Sequence, residues 1–206
     1  MSNKVFVGYD TREDIAYQVC EHSIWQHNKG TEVIPLKQKE LRDKMLYWRG
    51  EDKLASTEFT FTRFLIPHIM NYEGWALFID SDIVFLEYMD NLFALEDDKY
   101  AVMCVQHDYK VTETTKMDGQ KQTIYPRKNW SSVVLWNCGH PSNQKITVDM
   151  VNNPNYDGKF FHRFAWLKEE EIGSLPVDWN FLVGHYTADG TMDQEQKEDG
   201  TPRALH

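Results

Sequence analysis

Residues 75–86 of the sequence, WALFIDSDIVFL, contain two carboxylates inside an otherwise apolar run. Five apolar residues precede Asp80-Ser81-Asp82, four follow, and Gly74 stands before the run, which predicts a buried β-strand. Burying two carboxylates costs free energy unless a positive partner offsets their charge. Mg²⁺ and Mn²⁺ bind carboxylate oxygens and leave coordination positions for phosphates. We therefore expect Asp80 and Asp82 to hold a divalent cation that binds a phosphorylated substrate.

The composition argues against several binding partners and against a membrane-spanning or secreted protein. The 206 residues suffice for one domain with a substantial core, and the net charge of −10 argues against binding to nucleic acid or an anionic membrane surface. No apolar run approaches the length of a membrane span, and the first ten residues are too short and polar for a signal peptide. The three cysteines are widely spaced without a CxxC pair, which is typical of reduced thiols in a cytoplasmic protein. An anionic nucleotide would need a local cation to bind.

The order of predicted elements indicates an α/β protein with a parallel sheet and helices on its faces. We expect strands at residues 4–9, 31–36, 75–86, 100–105 and 131–136. We expect helices at 11–27, 60–70 and 143–151, a further short helix within 37–53, and a kink at Pro67. The remaining predictions are a turn at 91–93, a hairpin at 108–128, an extended segment at 175–180 and a surface loop at 187–203. Ligands of such sheets bind beyond the carboxyl ends of the strands.

The first helix is predicted from the spacing of its apolar residues. Its apolar stripe is expected to contain Ile15, Ala16, Val19, Cys20 and Ile24, which recur at helical spacing. Either Asp10 or Thr11 is expected as its N-cap. For Asp10, contact with a nucleotide is the alternative to capping.

The DxD motif and the segment TRFLIP at residues 62–67 resemble the GT-A type of nucleotide-sugar glycosyltransferase. The sequence is most similar to the group related to glycogenin and the bacterial galactosyltransferases, family 8. The resemblance covers most of the chain and implies a Rossmann-like, mixed but mainly parallel sheet with helices on both faces. It implies a single GT-A-like domain over residues 1–206 that lacks the family's C-terminal closing segment.

The resemblance also implies a metal site and its neighbours. Asp80 and Asp82 would hold Mn²⁺ or Mg²⁺ against the donor pyrophosphate, with Arg63 as a nearby catalytic cation. The ending Arg203-Ala204-Leu205-His206 resembles the strand that delivers a histidine as third metal ligand. Asp82 is expected to bind the metal directly. For Asp80, direct ligation, binding through water and a hydrogen bond to the ribose all remain open.

Donor-binding residues follow from the same resemblance. Ser131 and Ser132 stand where the family usually has Asn-Ser-Gly near the donor sugar, and the segment LPVDWN at 175–180 also matches. His162 and Arg163 are interpreted as part of a packed aromatic segment. The complete donor set that the resemblance implies is Gly8, Tyr9, Asp10, Arg63, Ser81, Ser131 and Ser132.

The function that the resemblance implies is transfer of a sugar, with retention of configuration, from a nucleoside diphosphate sugar, such as a UDP-sugar, to an acceptor hydroxyl on a sugar, lipid or protein. The loop at 187–203 would close over the donor and exclude water. One alternative is a phosphatase of the haloacid dehalogenase type, although residues 83–86 fit it poorly and a second acidic pair is missing. Another alternative is a truncated, non-catalytic domain that binds nucleotide sugars.

Overall fold

The computed structural model describes residues 4–52, 55–107, 127, 129–184 and 201–206. Six strands form a mixed sheet and two form a separate small sheet. The strands are β1 (Lys4–Gly8), β2 (Glu32–Leu36), β3 (Trp75–Ile79), β4 (Val84–Phe85), β5 (Val102–Cys104), β6 (Val133–Asn137), β7 (Ile172–Ser174) and β8 (Ala204–Leu205). In the large sheet the order is β2-β1-β3-β6-β5-β7, and only β6 runs against its neighbours. The predicted mixed, mainly parallel sheet is confirmed.

Helices cover both faces of this sheet. They are α1 (Asp14–His27), α2 (Gln38–Asp43), α3 (Ile66–Ile69), α4 (Met89–Phe93), α5 (Val148–Asn152) and α6 (Gly158–His162). Val5 and Val7 of β1 pack with Ile24 of α1, whereas Phe6, between them, packs with Phe161 of α6 on the other face. This alternation follows from the two-residue period of a strand and divides the core into two layers. None of the described helices is both long and apolar enough to cross a bilayer.

The predicted strand at 75–86 is interrupted where the carboxylates lie. β3 ends at Ile79, the chain turns through Asp80-Ser81-Asp82, and β4 then pairs with β8 in the small sheet. Asp and Ser side chains hydrogen-bond nearby backbone and favour turns over strand interiors. The DxD motif therefore lies in a connection between two sheets.

The predicted helix at 60–70 is two shorter elements. A 3₁₀ turn spans Thr62–Leu65, and α3 follows it directly. Pro67 lies in the first turn of α3, where a missing N–H costs little, so it begins a helix and does not kink one. The prediction of a kink was wrong.

The predicted stripe of α1 is only partly correct. Cys20 and Ile24 are buried against the sheet together with Tyr17, but Ile15 is 77% exposed and Val19 is 49% exposed. The buried residues follow a spacing of three and four, which leaves Ile15 and Val19 on the outer side of the helix. The helix begins at Asp14 with Glu13 as N-cap, so both predicted caps were wrong.

Other predictions differ from the structure in type or extent. The segment predicted as extended at 175–180 contains a 3₁₀ turn at Val177–Asn180, and the turn predicted at 91–93 belongs to α4. The helix predicted at 143–151 is a 3₁₀ turn at Asn143–Lys145 followed by α5. Sequence patterns did not predict β7 or α6, which are three and five residues long. The predicted hairpin at 108–128 and loop at 187–203 lie almost entirely outside the described residues, and the single-domain organisation stays a prediction.

Candidate metal and donor site

The antiparallel direction of β6 brings two parts of the site together. Ile79, the last residue of β3, lies opposite Val133, the first residue of β6. Asp80, which follows β3, therefore lies beside Ser131 and Ser132, which precede β6. The backbone N–H of Asp80 donates to the carbonyl oxygen of Ser132 over 2.9 Å. Val7 of β1 lies beside Ile79 in parallel register, so Gly8, the next residue, lies at the same edge of the sheet as Asp80. The predicted donor residues of three strands therefore meet where the DxD motif begins.

Arg63 joins the DxD motif to the start of β6. Its Nη1 donates to Asp80 Oδ1 over 2.7 Å and to the carbonyl oxygen of Ser131 over 2.8 Å. The guanidinium is buried and lies 4.6 Å from the centroid of the Phe78 ring, a cation–π contact. Burial raises the pKa of Asp80 to about 6, against the opposing effect of Arg63 and with a further rise from the nearby Asp82 carboxylate. A cation at this site would favour the ionised form of Asp80.

His206 reaches the motif from the far end of the chain. β8 pairs with β4, the strand that follows Asp82, and this pairing places His206 beside the carboxylates. Arg203 anchors β8 through an ion pair of 2.7 Å with Asp178. Ligand atoms of Asp80, Asp82 and His206 all lie within 4.8 Å of one another. The structure thus brings together the three residues that the resemblance implied as metal ligands.

Asn180 fixes the orientation of His206. Asn180 is fully buried, its Nδ2 donates to Ser132 Oγ over 2.9 Å, and Nδ2 also lies 2.9 Å from His107 Nε2. Its Oδ1 then faces His206 Nδ1 at 2.8 Å. An amide oxygen only accepts, so Nδ1 of His206 carries a proton, and in a neutral imidazole this leaves the lone pair of Nε2 for a metal ion. Nε2 lies 3.5 Å from Asp82 Oδ1, on the side of the carboxylates.

The donor set fits a divalent cation. Octahedral ligands at about 2.1 Å from Mg²⁺ lie about 3 Å apart when adjacent and about 4.2 Å apart when opposite, so a spread within 4.8 Å needs only small adjustments. Two carboxylates and one imidazole suit Mn²⁺ and Mg²⁺ better than a thiol-preferring metal. Ser81 between the carboxylates is buried, and its Oγ is one of four sealed side-chain atoms without a hydrogen-bond partner among the described residues. A polar ligand would satisfy such an atom.

Gly8 and Tyr9 line the neighbouring strand end. A Cβ on Gly8 would lie 2.4 Å from the Phe59 ring, so only glycine allows this close approach. Tyr9 is half-buried, its hydroxyl donates to Asp14 over 2.7 Å, and Lys37 Nζ lies 5.1 Å from the ring centroid. Gly8 therefore has a packing role whatever its part in donor binding.

Asp10 is occupied by protein contacts. It is fully buried and accepts hydrogen bonds from Arg12 Nε over 2.9 Å, from Arg12 Nη2 over 2.6 Å and from the backbone N–H of Glu58 over 3.1 Å. The hydrogen bond from Arg12 lowers the pKa of Asp10, although burial opposes it. Asp10 thus ties the end of β1 to the segment around Glu58, and contact with a nucleotide stays a prediction.

Sequence reasoning assigned no role to three polar residues of the site. His107 and Asn180 belong to the network behind His206, and His162 contacts Ser131. The segment LPVDWN drew attention to Asn180 through the resemblance, but nothing in its pattern indicates a contact with His206. His162 lies among four aromatic or basic neighbours in FFHRF, a composition that favours packing.

The comparison with curated proteins gives the family. Protein CDI of Arabidopsis thaliana is 53% identical over 204 residues, which span 98% of this chain and 76% of that protein. The chain belongs to the CDI family. No protein-family model matches its sequence.

Several solved structures that resemble this CDI-family chain are glycosyltransferases. GlyE of Streptococcus pneumoniae TIGR4 has a TM-score of 0.63 at 16% identity, covering 100% of this chain and 54% of GlyE. Galactosyltransferase LgtC, in complex with donor and acceptor sugar analogs, has a TM-score of 0.60 at 12% identity, covering 98% of this chain and 86% of LgtC. Mouse xyloside xylosyltransferase 1 has a TM-score of 0.59 at 12% identity, covering 100% of this chain and 97% of the mouse protein.

Identities this low establish the fold alone. The CDI-family chain has the GT-A fold, as its mixed sheet and flanking helices indicated. It spans about half the length of GlyE.

Proposed function

We propose that the protein is a metal-dependent glycosyltransferase that moves a sugar from a nucleoside diphosphate sugar to an acceptor hydroxyl. The convergence of Asp80, Asp82 and His206 carries the proposal, and the GT-A fold supports it. The resemblance to family 8 supports a UDP-sugar as donor and retention of configuration at the transferred carbon. The acceptor is a hydroxyl of a sugar, lipid or protein.

The residues of the site have distinct parts in this reaction. A Mn²⁺ or Mg²⁺ ion held by this cluster would supply positive charge against the diphosphate of the leaving nucleotide. Asp82 and His206 Nε2 would hold the ion directly. Arg63 orients Asp80 through their 2.7 Å hydrogen bond and places a positive charge beside that carboxylate. Ser131 and Ser132 line the start of β6, beside Asp80, where the sugar of the donor would lie.

The phosphatase alternative has less support. Such an enzyme needs a second acidic pair near its DxD motif, whereas the third member of the cluster among the described residues is His206. A non-catalytic domain would bind the nucleotide sugar at the same site but would not transfer the sugar. Donor hydrolysis or transfer to an acceptor therefore separates it from the enzyme.

Calorimetric titration of UDP and UDP-glucose, with and without Mn²⁺, tests the proposal. The wild type is compared with Asp82→Ala and with Asp43→Ala, because the two aspartate side chains are similarly exposed, at 62% and 64%. We expect Mn²⁺-dependent binding by the wild type and Asp43→Ala, and its loss in Asp82→Ala. Metal-independent binding, or equal binding by both variants, would contradict the assigned site.

A further inference from the structure

His162, the last residue of α6, contacts the predicted donor-binding residue Ser131 and has no part in the proposed reaction. Its Nδ1 lies 2.6 Å from Ser131 Oγ, a hydrogen bond between two side chains. The carbonyl oxygen of Ser131 accepts from Arg63 Nη1, which also donates to Asp80. The imidazole is therefore linked through Ser131 and Arg63 to a proposed metal ligand.

The surroundings of His162 keep its ring uncharged. Burial lowers the pKa of His162 to about 3, and the nearby Arg63 charge contributes in the same direction. The ring also packs edge-to-face against Phe64, with centroids 5.3 Å apart. A neutral imidazole has one N–H donor and one acceptor nitrogen, whereas a charged one only donates. Hydroxyl groups also both donate and accept, so they match a neutral imidazole in either tautomer.

The second ring nitrogen of His162 lacks a hydrogen bond to the described residues. Nε2 has no hydrogen-bond partner within the part of the chain that the structure describes, and the residue is partly exposed. Ser131, by contrast, is 5% exposed and holds the other nitrogen in place. A fixed, neutral and unpaired nitrogen suits an uncharged polar group better than a phosphate, which favours cations.

We propose that His162, together with Ser131, forms a subsite that hydrogen-bonds a hydroxyl of the transferred sugar and so contributes to donor specificity. The inference rests on the proposed function, because it assigns the sugar end of the same donor. It separates recognition of the sugar from recognition of the diphosphate, which belongs to the Asp80, Asp82 and His206 cluster.

The test compares two ligands on matched variants in the presence of Mn²⁺. UDP reports the nucleotide end alone, and the tightest binder among UDP-glucose, UDP-galactose and UDP-N-acetylglucosamine reports both ends. His162→Phe keeps an aromatic ring beside Phe64 but removes both nitrogens, while His162→Gln keeps a donor and an acceptor. His22→Gln is the control, because His22 is an exposed histidine on α1.

We expect His162→Phe to weaken UDP-sugar binding by about five- to tenfold, the size of one lost neutral hydrogen bond, and to leave UDP binding unchanged. His162→Gln is expected to retain part of the affinity and to change the ranking of the three sugars. Equal losses for UDP and UDP-sugar, or an unchanged UDP-sugar affinity in both variants, would overturn the inference and leave the proposed function standing. Absence of binding of any of these ligands to the wild type would overturn both.

Discussion

Replacing Asn180 with leucine is expected to weaken metal binding without removing any ligand. Leucine is similar in size but leaves Ser132 Oγ, His107 Nε2 and His206 Nδ1 without their hydrogen bonds of 2.8–2.9 Å to the amide. His206 then loses the acceptor that fixes its tautomer and ring orientation. Loss of such an outer partner typically costs about 10–100-fold in metal affinity. Losing three hydrogen bonds of about 1 kcal/mol each should also lower the free energy of unfolding by about 3 kcal/mol.

Two measurements separate these effects. Electron paramagnetic resonance of free Mn²⁺ gives the metal affinity, and urea unfolding without metal gives the stability. Asn180→Asp serves as the matched variant, because its carboxylate still accepts from His206 Nδ1 but cannot donate to Ser132 or His107. We expect Asn180→Asp to lose stability while it keeps most of the Mn²⁺ affinity.

A folded Asn180→Leu variant that binds Mn²⁺ as tightly as the wild type would contradict this role of Asn180. A loss of affinity in Asn180→Asp as large as that in Asn180→Leu would also contradict it. In that case the acceptor that faces His206 does not control the site.

Three further predictions concern packing and pH. Gly8→Ala places a Cβ 2.4 Å from the Phe59 ring and should lower the free energy of urea unfolding by about 1–3 kcal/mol, whereas an unchanged value would contradict this contact. Burial raises the pKa of Asp80 to about 6, so Mn²⁺ affinity should fall by up to about tenfold per pH unit below that value. A constant Mn²⁺ affinity from pH 7 to 5 would argue against Asp80 as a ligand. His162 has a folded pKa of about 3, below its value of 6.5 in the unfolded chain, so the unfolded state binds the proton first and stability is lost as pH falls through 6.5. Between pH 7 and 5 the wild type should lose about 1–2 kcal/mol more than His162→Phe, and equal losses would show that the ring is not kept neutral.

The strands of the sheet could be predicted because their apolar runs are bounded by glycine and polar residues. The apolar runs at β1, β3 and β6 each lie within a few residues of the observed strand. The direction of β6 could not be predicted. Strand pairing depends on residues far apart in the chain, and a fully buried strand has the same apolar sequence whether it runs parallel or antiparallel to its neighbours. That direction is what places Ser131 and Ser132 beside Asp80.

Short elements were harder to predict than long ones. α6 and β7 carry too few residues to show a period, and their positions depend on contacts such as that of Phe161 with the core. In α1, the apolar residues Ile15 and Val19 looked like core residues, yet the sheet is contacted by Tyr17, Cys20 and Ile24. Tertiary packing selected the buried face among several apolar candidates.

Some residues of the site can be recognised from the neighbouring sequence, whereas others are placed by contacts between distant segments. Asp80 and Asp82 stand out because charge is unusual inside an apolar run. His206 could be placed beside them only through the family resemblance, since the pairing of β8 with β4 joins segments far apart in the chain. The hydrogen bonds of Asn180 and His162 depend on side-chain geometry that residue types alone do not specify.

A crystal structure with Mn²⁺ and UDP, with anomalous diffraction recorded at the manganese edge, would locate the ion relative to the proposed ligands. We expect one anomalous peak at bonding distance from Asp82 and His206 Nε2, with diphosphate oxygens completing the coordination of the ion. An ion bound elsewhere, or UDP bound at full occupancy with no ion at this cluster, would contradict the proposed site.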